Sequence, residues 1–409
     1  MAINFTNVVK PTHLCNLSCA YCYNEDTRAP VMERSTLVNV IRKTLDHARD
    51  NNPSWHVDFI WHGGEPMLAK MNFYRDVIEI QSAHSYGLNF SNSIQTNATL
   101  VNPEWAKFFK ENQFRVSVSI DGPKHVNDSA RKYSPSRGSF DAVMRGIRLL
   151  KDEGLQIGVC VVITKETFQH IDEIWDFLVS ERLPFNVIPL TRSGDALANY
   201  EDLGLGADDY AEPWIKLFDR WIDADKKDYI YCSDFVFKTR AILSGTPQDC
   251  IAQKICSFSH FSTDPDGYVY PCATLSGSPE WRYGNINEIS VASLLASPRA
   301  VESQNRQVDP HCVKCKWQHV CHGGCMQRAY KYFGTHNTRD YYCPSLYKIY
   351  EHIEARLRTA HPSFDAALPK KVDTREPAPE RPIVSKEISH KVRSRLGLLG
   401  ATNQMKKGN

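Results

Sequence analysis

Up to about residue 225 the chain alternates between short β-branched or aromatic runs and longer stretches with helical spacing. The apolar runs are Phe5–Lys10, Val57–Trp61, Phe90–Gln95, Arg115–Ile120, Ile157–Ile163 and Phe185–Leu190. Between them, apolar positions recur every three or four residues in Ser35–Arg49, Phe73–Ser85, Pro103–Asn112, Phe140–Asp152, Ile171–Ser180 and Asp208–Ala224. Ser35 and Ser139 stand where helix N-caps belong, and Pro103 follows Asn102 as a first-turn proline. Six strand–helix repeats call for parallel βαβ units. Such units gather functional residues at the carboxyl ends of their strands.

Residues 226–355 break this rhythm. They are short on periodicity and dense in Cys, Gly, His and aromatics, as a loop-rich, metal-stapled module would be. Residues 356–409 shift again, toward Pro, Lys, Arg and Ser. Positions 370–409 carry ten Lys/Arg against four Asp/Glu, a run that cannot bury a core and is expected to be a solvated, disordered tail. Docking of an acidic partner is the alternative for it. The expected domains are therefore 1–225, 226–355 and the tail.

The 409 residues are 42% hydrophobic and 23% charged, with a formal net charge of +2. That balance advertises no nucleic acid or other polyanion. Met1 to Lys10 lacks the pattern of a signal peptide, and no uninterrupted apolar stretch of about eighteen residues is long enough to cross a membrane. A cytoplasmic setting is expected. Thirteen cysteines in such a chain point to metal binding or catalysis rather than disulfides. Cys160 and Cys232 stand alone; Cys160, inside an apolar run, reads as a small core hydrophobe.

Cys15, Cys19 and Cys22 form a C-x3-C-x2-C run just after the first predicted strand. Iron–sulfur clusters take thiolates, normally four. Three would leave one iron open to a small molecule, which is a catalytic arrangement. A zinc knuckle is the alternative, but zinc usually closes with four Cys/His ligands. After the second predicted strand comes His62-Gly63-Gly64-Glu65-Pro66. Its glycines allow close backbone approach, and its carboxylate can receive an ammonium group. Together the two motifs resemble the radical S-adenosylmethionine (SAM) superfamily, in which these positions hold the cluster and the methionyl amino group of SAM. The resemblance implies a partial (β/α)6 barrel, open on one side.

Eight further cysteines follow: Cys250, Cys256 and Cys272, then Cys312, Cys315, Cys321, Cys325 and Cys343. Eight thiolates suit two fully ligated four-iron clusters. With His322-Gly323-Gly324-Cys325-Met326 and Tyr341-Tyr342-Cys343-Pro344, the arrangement resembles the SPASM extension of radical SAM peptide maturases. That resemblance implies one auxiliary cluster on Cys250, Cys256, Cys272 and Cys325, and another on Cys312, Cys315, Cys321 and Cys343. The total implied is three [4Fe-4S] clusters. Further segments resemble anaerobic sulfatase-maturing enzymes: Ile94-Gln95-Thr96-Asn97, Ser117 to Pro123, Arg131, Gly138-Ser139-Phe140 and Ile188-Pro189-Leu190. In those relatives the positions matching Tyr21, Gly64, Ser119, Arg131 and Leu190 contact SAM, beside Gly63 and Glu65 of the glycine motif.

One position departs from the pattern. Sulfatase maturases carry an Asp directly after the third auxiliary cysteine, as base for the substrate Ser or Cys; here Cys272 is followed by Ala273. Asp264 and Asp266 are nearby but read as the turn that delivers Tyr268-Val269-Tyr270 to Cys272. The expected activity is therefore oxidative modification of a ribosomally made precursor peptide. A 5′-deoxyadenosyl radical would abstract hydrogen, and a carbon–carbon side-chain crosslink of cyclophane type would form. The expected partners are that peptide and an electron donor such as flavodoxin or ferredoxin. Sulfatase maturation, thioether formation and a non-catalytic iron–sulfur or zinc scaffold are the alternatives.

Overall fold

The computed structural model describes residues 4–24, 30–307 and 309–360, so most of the basic tail lies outside the described residues. Six parallel strands carry the first half: β1 (Asn4–Thr12), β2 (His56–Gly63), β3 (Asn89–Thr96), β4 (Arg115–Ser119), β7 (Ile157–Ile163) and β8 (Phe185–Pro189). They pair in sequence order, interrupted only by a small hairpin of β5 (Lys132–Ser134) and β6 (Arg137–Gly138) that forms its own sheet. The sheet does not close on itself through β1. The outer side of β1 takes β9 (His260–Thr263) as a parallel partner, and β10 (Tyr268–Tyr270) and β11 (Gly284–Asn285) extend it antiparallel. The expected open α/β barrel is present, and its sheet runs on into the cysteine-rich segment.

Strand alternation decides which side is packed. In β7 the residues Ile157, Val159, Val161 and Ile163 are buried, while Gly158, Cys160 and Val162 between them are half-buried. The buried face lies under helices, where Trp61 meets Phe73 and Tyr74 edge-on at 6.0 and 5.9 Å. Full burial of side chains this large stabilises by roughly 1.5–3 kcal/mol each. The Trp61 indole N–H is satisfied by Asn92 Oδ1 at 2.9 Å, as a buried donor must be. The opposite face is polar and open, with Ser93, Gln95, Ser117, Ser119 and Cys160 on it. Cys160 is therefore not the core hydrophobe expected: its thiol donates to Gln95 Oε1 at 3.5 Å and lies 3.7 Å from Ser117 Oγ. Cys232 is fully buried.

Helix starts agree unevenly with the sequence. Asn102 caps Pro103–Glu111 as expected, its side chain accepting the Trp105 N–H. Ser35 does not cap: its helix is Arg34–Asn51, with Glu33 at the cap position and Ser35 inside the first turn. Ser139 occupies the cap position of Phe140–Asp152, but its hydroxyl donates to Arg131 O at 2.9 Å. Asp128 does the capping, accepting the Ser139 and Phe140 N–H groups at 2.9 and 2.8 Å. Within 226–355 the expectation of little regular structure also fails, since Ser233–Ser244 and Cys343–Ala360 are helices.

Candidate functional site

The cysteine loop leaves β1 and lies on the end of β2 through backbone contacts. Gly64 N–H donates to Thr12 O at 3.1 Å and Glu65 N–H to Leu14 O at 2.8 Å. Only glycine permits this. Gly63 has φ +124°, and a Cβ there would stand 2.3 Å from Thr12 O; at Gly64 it would stand 2.2 Å from Leu14 O. The loop's other edge is fixed by Ser18 N–H to Lys132 O at 2.7 Å and Ala20 N–H to Ala130 O at 3.0 Å. Thus the glycines bring the chain's own cysteine loop close to the strand end.

The three thiols are near enough to act on one another's charge. Burial first, then the like charges of Glu65, Cys19 and Cys22, pushes the Cys15 thiol up to about 12. Burial likewise pushes Cys19 up to about 11, against the opposing pull of Arg131. Three half-buried thiols whose ionisation is disfavoured in this way are held as thiolates by a strong positive centre, so the donor set suits an iron–sulfur cluster. All thirteen cysteines are free thiols.

The residues expected around SAM gather at the carboxyl ends of the strands. Glu65 is fully buried, and its carboxylate accepts Met67 N–H at 3.0 Å, Thr96 Oγ1 at 2.7 Å and Asn97 N–H at 2.8 Å. Burial pushes it up to about 7 despite those donors. Ser119 Oγ accepts from Gln95 Nε2 at 2.9 Å. Arg131 is 8% exposed and its guanidinium holds Asp121 at 2.9 and 3.3 Å. Asp121, 1% exposed, also accepts the Tyr21 hydroxyl and the Val162 N–H. The Arg131 guanidinium lies 5.2 Å over the Tyr21 ring and reaches Cys19. Asp121 was not singled out from sequence, although it sits inside the quoted Ser117–Pro123 motif; an acid two residues after Ser119, ahead of a lone Arg, was the available signal. Leu190 closes the set, its carbonyl accepting the Tyr342 hydroxyl at 2.9 Å.

The eight thiols from Cys250 to Cys343 fall into two groups. Cys256 is pushed well up by burial and then by Cys272, Cys325 and Cys250. Cys343 is pushed up to about 11 by burial, with Cys312 and Cys315 adding to it and Arg339 opposing. Cys321 reaches about 12 through burial, Asp340, Cys343 and Cys312. Cys250, Cys256, Cys272 and Cys325 thus act on one another, as do Cys312, Cys315, Cys321 and Cys343. Asp340 stands between them: it accepts Cys325 N–H at 2.8 Å, pairs with Arg328, and its backbone oxygen accepts Cys343 N–H at 3.0 Å.

Residues 9–178 match the Radical SAM superfamily model, and residues 255–322 match that of the SPASM iron–sulfur cluster-binding domain. The cysteine-type anaerobic sulfatase-maturating enzyme of Clostridium perfringens (strain 13 / Type A) is 30% identical over 367 residues, 86% of this chain and 96% of that one. This chain belongs to the radical SAM/SPASM family. The serine-type enzyme of Klebsiella aerogenes is 30% identical over 351 residues, covering 84% of each chain. Among solved structures, native anSMEcpe with bound AdoMet and Cp18Cys peptide superimposes with TM-score 0.77 at 28% identity, over 88% of this chain and 98% of that one. Streptococcus suis SuiB bound to precursor peptide SuiA shares the fold, with TM-score 0.61 at 17% identity over 84% of this chain and 76% of that one.

In this radical SAM/SPASM chain the neighbourhood of Cys272 holds a further polar group that sequence did not connect. Asp264, 4% exposed, pairs with His13 Nε2 at 3.3 Å and accepts the Ser276 hydroxyl. His13 and Ser276 donating to it, with Lys10 and His13 nearby, hold its carboxyl below the usual range against the opposing effect of burial. Asp266 is exposed on the β9–β10 turn and accepts Tyr268 N–H at 3.1 Å. Both aspartates are in the turn expected of them, yet only β9 pairing with β1 brings Asp264 to His13. Among the described residues no helix is long and apolar enough to cross a membrane.

Proposed function

We propose that this enzyme oxidatively modifies a ribosomally made peptide, joining two of its side chains through a carbon–carbon bond of cyclophane type. A peptide substrate is supported by the relatives, one solved with Cp18Cys peptide and one with precursor peptide SuiA. Cys15, Cys19 and Cys22 would hold the open cluster, and the two quartets would hold the auxiliary ones, giving three [4Fe-4S] clusters. Tyr21, Gly63, Gly64, Glu65, Ser119, Arg131 and Leu190 would surround SAM. When bound, these groups supply one electron and a carbon radical able to take hydrogen from an unactivated C–H bond; the protein supplies orientation and exclusion of competing reactions. Fully ligated clusters at the quartets suit electron transfer rather than substrate binding. A flavodoxin- or ferredoxin-type donor and a cytoplasmic setting complete the reading.

The observation that carries the crosslink is the state of the carboxylates near Cys272. Ala273 offers none. Asp264 has both oxygens engaged by His13 and Ser276, and Asp266 is committed to its turn. A base for a substrate hydroxyl or thiol must reach it within hydrogen-bond distance, whereas Asp264 is buried in its own pairings and Asp266 lies exposed on its turn, neither of them at the position after Cys272. Joining side chains asks for no base at position 273.

The test is mass spectrometry on a co-expressed precursor peptide. A crosslink removes two hydrogens, resists protease cleavage between the joined residues and ignores hydrazide. Sulfatase maturation is the second reading, favoured by 30% identity across nearly the whole of a cysteine-type maturase. Its formylglycine product reacts with hydrazide, and that outcome would replace the crosslink.

A further inference from the structure

The end of the barrel and the last turn of the cysteine-rich segment meet at a single carbonyl. Leu190 O, just after β8, accepts the Tyr342 hydroxyl at 2.9 Å and the Tyr332 hydroxyl at 3.2 Å. A carbonyl oxygen has two lone pairs, and both are used. The Tyr200 hydroxyl lies 3.2 Å from that of Tyr342 and donates to Leu205 O at 2.9 Å.

The donors are held as firmly as the acceptor. Tyr342 is 1% exposed, and its ring lies under the Arg328 guanidinium at 5.7 Å. Tyr332 stacks on Tyr341 with ring centres 3.7 Å apart. Tyr342 N–H donates to Asp340 Oδ1 at 2.9 Å, so the turn that presents Tyr342 is the one that presents Cys343 to its quartet. On the barrel side Leu190 packs in one buried cluster with Tyr21, Ala130, Ala196 and Tyr200, against which Cys19 and Tyr332 also pack.

We infer that Tyr342 and Tyr332 are positioning residues for SAM: together they clamp the Leu190 carbonyl, so that the cysteine-rich segment completes a pocket the barrel alone leaves loose. The inference rests on the reading of Leu190 as part of the SAM pocket. A trans peptide is planar, with its N–H directed opposite its C=O. Pinning the Leu190 carbonyl therefore also fixes the Thr191 N–H, and with it the end of β8 that faces the cysteine loop. Neither tyrosine touches the reacting atoms on this view. Each acts through the backbone of residue 190.

The test compares wild type with Tyr342→Phe, Tyr332→Phe and the double variant, as anaerobic, cluster-loaded full-length protein. The measurements are iron content, the dissociation constant of SAM from its effect on the reduced-cluster EPR signal, and the rate of 5′-deoxyadenosine formation at saturating SAM. Phenylalanine keeps the rings and removes only the hydroxyls. The double variant is expected to bind SAM about tenfold more weakly, the loss of two ordinary hydrogen bonds partly made good by water. Its iron content and saturated rate should match wild type, a split that general loosening of the fold would not give. Unchanged SAM binding with intact iron overturns the clamp. Should the double variant prove insoluble, Tyr332→Phe alone decides, with about threefold weaker binding expected and wild-type binding overturning the clamp. A wild type that binds no SAM overturns the pocket reading and the clamp together. A wild type that binds it no better than the variants overturns the clamp alone.

Discussion

A methyl group at Gly64 would sit 2.2 Å from Leu14 O and 2.4 Å from His13 O. Both obstacles are backbone, so no rotamer change relieves them, and the cysteine loop must lift from β2. Gly64→Ala is therefore expected to lose about four irons per chain, one cluster's worth, and all formation of 5′-deoxyadenosine. Iron analysis and product chromatography check this. Asp121 makes a different case. Asp121→Asn would leave the Arg131 guanidinium buried without its partner, which costs about 3–5 kcal/mol. Thermal unfolding should show that loss, and Asp121→Asn with Arg131→Met should lose less than the two single changes added. At this scale the sequence revealed candidate ligands better than their supports. Cys15, Glu65 and Arg131 stand in recognisable motifs, whereas His13 and Asp264 are far apart in the chain and meet only through strand pairing.

Among the elements, the six barrel strands were legible because each presents one face that must be buried, and the alternation in β7 records it residue by residue. The helix Lys124–Ala130 was not, being short and polar. It nonetheless supplies Asp128, which caps the next helix in place of Ser139. Asp128→Ala should cost about 0.5–2 kcal/mol, the usual value of a lost cap, read as a lower midpoint in denaturant with the slope unchanged. Strands β9 to β11 span two to four residues each. Strands so short have no pattern of their own and exist because β1 offers them an edge.

In the whole molecule, the proposed reading gives the two quartets and the cysteine loop different steps. Loaded protein should carry about twelve irons, four at each site. Replacing Cys312 and Cys315 with Ala removes two ligands from one quartet and none from the cysteine loop. That variant should keep about eight irons and still form 5′-deoxyadenosine, while the crosslinked peptide disappears. Full peptide modification by it would rule out an electron-accepting role for that quartet.

The pairing of β9 with β1 joins residues 260–263 to residues 6–9. A ribosome releases β1 first, yet that strand acquires its second neighbour only after well over half of the chain has been made. Contacts this distant along the chain are slow to form, and domains made during synthesis ordinarily settle from the N-terminus onward. Here the order is inverted: the cysteine loop hanging from β1 gains its final support last. Iron delivered to a nascent chain would meet three thiols on a loop whose parent strand still lacks its β9 neighbour. Stable loading of the open cluster is thus expected only after residues 260–263 have emerged, even though its ligands are among the first residues synthesised.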